Sequence, residues 1–97
     1  MFINRPLLAV ALSAALSEIT VADNCTHGVY YCGTSLLALG NYFQYIHNAL
    51  EKAGQPHNDT WIEQSVFYCL VDDVVLFSEY CKNGCLDNGS GKNGSCK

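Results

Sequence analysis

The side chains best equipped for chemistry in this chain are six cysteines: Cys25, Cys32, Cys69, Cys81, Cys85 and Cys96. Thiolates can ligate a metal, and thiols can oxidise in pairs. Cys81-Lys82-Asn83-Gly84-Cys85 has the look of half a zinc knuckle. A zinc site would need two or more of His27, His47 and His57 beside such thiols or beside carboxylates. In an oxidising compartment the thiols form disulfides instead, and an even count reads as three bridges. No metal and no cofactor is therefore expected. Sequence does not choose among the possible pairings. The Gly/Asn-rich stretch between Cys85 and Cys96 needs a tether, which makes that pair the expectation.

Acid–base chemistry has one local arrangement to draw on. His47 and Glu51 are four residues apart, a spacing that shares a helix face. A small ribonuclease would use such a pair together with a cation on the phosphate. An i,i+4 surface pair is the plainer explanation. A glycosidase would need two carboxylates roughly 5–9.5 Å apart across a cleft. Glu63, Asp72, Asp73 and Glu79 are the acids available, and their sequence positions do not place them. Asp87-Asn88-Gly89-Ser90-Gly91 faintly resembles a calcium loop, but it lacks the regular acidic ligands and the closing glutamate, and a solvated turn is the expected reading. Nothing amounts to a catalytic site, and no enzyme activity is expected.

Four sequons are present, at Asn24, Asn58, Asn88 and Asn93. They are acceptors for N-glycans in the secretory route, or chance triplets in Asn/Ser/Thr-rich loops. Asn58, in an expected loop, is the best placed of them. Most of the aromatics are core. Tyr42, Tyr45 and Trp61 lie off or near the edge of an apolar stripe, and exposed Tyr and Trp anchor interfaces. They are the expected binding surface.

The elements that hold these residues follow from pattern. Val29 to Cys32 reads as a strand. Leu36, Leu39, Phe43, Ile46, Leu50 and Ala53 recur at helical spacing, with Thr34 or Ser35 to cap the start and Gly54 the end. Gly40-Asn41 kinks that helix or splits it. Thr60-Trp61-Ile62-Glu63 has capping-box spacing for a short helical turn. Ser65 to Val71 is a β-branched and aromatic strand. After Asp72-Asp73 two readings stand: a hairpin strand over Val74 to Tyr80, or a helix capped by an aspartate. The helix is preferred, because Asp-Asp lacks the glycine of tight hairpin turns. The expected fold is α+β: one or two helices on a small antiparallel sheet, stapled by disulfides.

The first 22 residues read as a signal peptide. One arginine, Arg5, precedes the apolar run Leu7 to Leu16, and Thr20-Val21-Ala22 offers a cleavage site. Cleavage after Ser17 is the alternative. Ten apolar residues are too few to span a bilayer, which takes about 20. Removing 22 residues from 97 leaves a 75-residue cysteine-rich domain, 23–97. It keeps eight acidic residues against four lysines and has no arginine, so its net charge stays at −4. That excludes the usual nucleic-acid binder, which needs basic patches, and the usual membrane-lytic peptide.

The residues also carry a resemblance. Tyr31-Cys32-Gly33-Thr34-Ser35-Leu36-Leu37, Gly40-Asn41-Tyr42, Ala53-Gly54-Gln55 and Phe67-Tyr68-Cys69 resemble small secreted cysteine-rich proteins of ascomycete fungi. So do Tyr80-Cys81, Gly84-Cys85 and Asp87 to Gly91. The likeness covers nearly all of 23–97, and those proteins include candidate plant-pathogen effectors. The segment Cys69 to Cys81 is similar to virally encoded killer toxins of smut fungi, whose α/β sandwich implies a helix after Asp73. Neither group transfers a catalytic residue. The resemblance implies a secreted, extracellular protein that binds a host or cell-surface protein or glycan during plant colonisation. A secreted toxin or antimicrobial protein, and a small secreted hydrolase or ribonuclease, are the alternatives.

Overall fold

A computed structural model describes residues 24–97. The leader expected over 1–22 lies outside the described residues. Among the described residues, nine short elements follow one another: β1 (Tyr30–Cys32), α1 (Gly33–Leu39), α2 (Phe43–Lys52), α3 (Asp59–Gln64), β2 (Ser65–Cys69), a 3-10 turn (Val71–Asp73), β3 (Val75–Tyr80), β4 (Cys85–Leu86) and β5 (Ser95–Cys96). Among the described residues, no helix is long and apolar enough to cross a membrane.

The long amphipathic helix is two helices. Gly40 closes α1 by donating its N–H to Leu36 O, and α2 restarts after Tyr42. The break shifts the helical phase. Tyr42, Ile46, Ala49 and Leu50 reach the core, while Phe43 and Ala53 of the expected stripe are exposed. At the end of α2, Gln55 N–H donates to Leu50 O and Gly54 N–H to Glu51 O, with Gly54 at φ 72°. That is a Schellman stop built on the expected glycine. Neither Thr34 nor Ser35 caps α1, whose N-cap is Cys32 with no side-chain bond. The cap of α3 sits two residues before the expected Thr60. Asn58 Oδ1 accepts the Trp61 N–H.

The three main strands form an antiparallel sheet in the order β1-β2-β3. The preferred helix after Asp73 is not formed; Val75–Tyr80 is a strand. The turn before it has no glycine because Asp72 takes the left-handed conformation itself, at φ 59°. Aspartate tolerates that region better than most residues. Leu70 N–H donates to Val74 O and Val74 N–H to Val71 O, which locks the reversal.

Side chains alternate across the sheet. Phe67, Cys69 and Val75 face the helices and join Leu36, Tyr42, Ile46, Ala49, Leu50 and Ile62 in one core. Phe77 packs edge-on against Phe67 on that face, and Trp61 stacks on Tyr80 beside it. α1 approaches α3 so closely that Gly33 has no room for a side chain. A Cβ there would run into the Ile62 carbonyl.

The bridges are Cys25–Cys69, Cys32–Cys85 and Cys81–Cys96. The expected Cys85–Cys96 pair is corrected. Those two residues face each other across the β4–β5 ladder, but each bonds elsewhere. The ladder itself, with Lys97 N–H donating to Gly84 O, already closes the Gly/Asn-rich loop. The disulfides are used instead to fasten this hairpin to β1 and to the end of β3. The result is a small α+β domain with short helices on a three-stranded sheet and three disulfides.

Candidate functional site

The carboxyl-terminal loop forms one wall of a polar cleft of about 530 Å³, lined among others by Tyr30, Tyr31, Ser35, Asp87 and Lys92. Asp87 Oδ1 accepts the Gly89 N–H at 2.8 Å, and Oδ2 accepts the Ser35 hydroxyl at 3.0 Å. The backbone bond from Gly89, with help from Ser35, holds the Asp87 carboxyl below its ordinary value of 3.8. Asp87 therefore folds its own loop and ties it to α1, a structural use for the Asp87–Gly91 segment.

The sequons have distinct surroundings. Asn58 uses Oδ1 for its cap and is exposed. Asn93 Oδ1 accepts the Tyr30 N–H. Asn88 Nδ2 donates both to Asn93 O and to Ser95 Oγ. A glycan on that nitrogen removes one of its two hydrogens, so glycosylated Asn88 cannot keep both bonds. Asn24 is exposed beside the Cys25–Cys69 bridge.

His47 and Glu51 do lie on one helix, α2, with Glu51 exposed and His47 half-buried. The structure adds a neighbour that spacing did not suggest: the His57 ring is centred 4.3 Å from the His47 ring. His47 Nδ1 is buried and makes no hydrogen bond among the described residues. All six cysteines are in disulfides, and among the described residues no three His, Cys, Asp or Glu side chains are grouped to hold a metal.

The expected aromatic surface separates into three environments. Tyr42 is 3 % exposed, and its hydroxyl accepts the Cys25 N–H at 2.7 Å. It is a core residue that anchors the start of the domain, which corrects its expected place on the surface. Trp61 is half-buried against Tyr80 and Phe77. Tyr45 is 43 % exposed and lines an apolar groove of about 480 Å³ between α2 and β3.

That groove is the feature sequence reasoning missed. Tyr45, Asn48, Ala49, Lys52 and Ala53 form its α2 wall, and Val74 to Phe77 form its β3 wall. Val74 and Leu76 are 43 % and 42 % exposed. The signal was present in the uninterrupted apolar run Val74-Val75-Leu76-Phe77, which makes both faces of a strand apolar. Only Val75 and Phe77 face the core, and Val74 and Leu76 are left outside. Comparison of the chain with protein-family models, with curated proteins and with solved structures finds no match.

Proposed function

We propose that this is a secreted, effector-like protein of fungal type that acts by binding a host or cell-surface partner during plant colonisation. The observation that carries the reading is the groove between α2 and β3, lined among others by the exposed apolar residues Tyr45, Val74 and Leu76. Apolar surface gathered in a concavity is where small rigid domains receive partners. Three disulfides crosslink the small domain that carries it, which limits the conformational freedom lost on binding. The bridges also suit an oxidising, extracellular compartment.

The test uses the purified protein on host cell-wall and membrane fractions. Saturable binding is expected from the wild type, with a large loss in a Tyr45→Ala, Leu76→Asp double variant whose circular dichroism is unchanged. Absence of saturable binding, together with unchanged colonisation by a strain lacking the gene, would sink the proposal. Growth inhibition of competing fungi or bacteria by the pure protein would point to the toxin reading instead.

A further inference from the structure

The backbone of β3 has two sides, and the hydrogen-bond register tells them apart. In an antiparallel pair, successive residues alternate between bonding the partner strand and pointing away from it. Leu70 N–H donates to Val74 O, and Tyr68 is aligned with Leu76. Val74 and Leu76 are thus the residues turned toward β2, and Val75 and Phe77 direct N–H and C=O outward. The same alternation turns Tyr30 of β1 outward at the opposite edge of the sheet. There the tail meets it: Tyr30 N–H donates to Asn93 Oδ1, and Gly94 N–H donates to Tyr30 O. The edge at β1 is closed. Among the described residues, no bond outside the ladder reaches Val75 or Phe77. The edge at β3 is open, and it opens into the groove.

The geometry points to strand addition: an extended segment of a partner protein, apolar and carrying an acidic side chain, lies in the groove as a fourth strand beside β3. The inference rests on the binding reading and names the chemistry of its partner. Outward N–H and C=O groups at Val75 and Phe77 are complemented by a backbone in the same extended conformation. Across the groove, Ala49 and Ala53 leave space for alternate side chains of that strand, and Tyr45 and Leu76 offer apolar contact. Among the described residues, Lys52 is the one charged residue lining the groove. It sits on a protein of net charge −4, so the local sign favours an acid in the occupant. A second copy of this chain fits less well. Antiparallel self-pairing of β3 brings the Asp72 end of each strand to the Glu79 end of the other, and like charges opposite one another are destabilising.

The probe is a displayed library of random heptapeptides, selected on the full secreted protein and followed by solution binding of the recovered peptides. Recovered sequences are expected to alternate apolar residues and to carry Asp or Glu. N-methylation of the peptide amides that face β3 is expected to weaken binding roughly tenfold or more, as two backbone hydrogen bonds are lost. N-methylation on the other register leaves binding nearly unchanged. Lys52→Glu is expected to shift recovery toward basic peptides while the fold is retained. Peptides insensitive to N-methylation in both registers, or a library that yields no binder, would overturn strand addition. So would concentration-dependent dimerisation that protects the Val75 and Phe77 amides. Saturable binding to host fractions that survives Lys52→Glu, and that no groove-binding peptide displaces, removes this inference and leaves the binding function standing.

Discussion

At the scale of single residues, the fold depends on positions whose importance lies in what they exclude or fix. Gly33 is buried where α1 meets α3, and any Cβ there collides with the backbone of Ile62. Backbone yields less readily than a side chain, so Gly33→Ala is expected to destabilise by about 1–3 kcal/mol or more. A urea-unfolding midpoint measures it, and an unchanged midpoint would refute the close approach. Asp87 makes a second case. Its carboxyl is held low by the Gly89 N–H and the Ser35 hydroxyl. A group with a depressed folded value contributes stability above its unfolded value and loses it as pH falls through the folded one. Below pH 3.8, Asp87→Asn is therefore expected to show a shallower acid loss of stability than wild type. The difference is small, because the exposed carboxylate is screened by solvent. A carboxyl NMR titration of Asp87 with its midpoint at or above 3.8 would contradict the assigned bonds. The cysteines were legible at this scale, and so was Gly54. Gly33 was not, because nothing in sequence spacing tells which glycine lies under another helix.

At the scale of elements, the strand-rich and helix-rich segments were legible from periodicity, and the differences lie in how a helix is phased and how a turn is made. The helix splits at Gly40-Asn41, one of the two outcomes expected there, and the split re-phases the apolar stripe, with Tyr42 taking the inward place that the pattern gave to Phe43. Tyr42 also satisfies the Cys25 N–H, a tertiary role invisible to helical spacing. The helix preferred after Asp73 fails because an aspartate supplies the left-handed residue for which glycine was sought. Substituting Asp72 tests this. Asp72→Gly is expected to leave thermal stability equal or raised. Asp72→Val places a β-branched residue at φ 59° and is expected to cost about 1–2 kcal/mol. Equal stability of the two variants would mean that the turn does not hold this conformation in solution.

At the scale of the molecule, three disulfides divide the work between joining the sheet and fastening the tail to it. Cys25–Cys69 ties the start of the domain to the end of β2, its partners 44 positions apart in sequence. Cys32–Cys85 and Cys81–Cys96 clamp the small β4–β5 hairpin onto β1 and the end of β3. The count of bridges was legible, but their pairing was not. Pairing follows the position of a hairpin whose strands are two residues each, too short to leave a periodic signal. Replacing Cys32 and Cys85 together by alanine is expected to lower stability by about 2–4 kcal/mol. It is also expected to loosen Asn93 and Gly94 from Tyr30. Non-reducing peptide maps showing a Cys85–Cys96 link in the wild type would refute this arrangement.

The crosslinked tail thus closes one edge of the sheet, and the other edge stays available to a partner. Amide hydrogen exchange on the free protein, resolved by residue, tests that asymmetry most directly. Tyr30 and Leu76 are expected to be protected, one by the tail and the other by β2, while Val75 and Phe77 exchange markedly faster than Leu76. Protection of Val75 and Phe77 equal to that of Leu76 in the free monomer would show that the β3 edge is already covered, and would contradict the account.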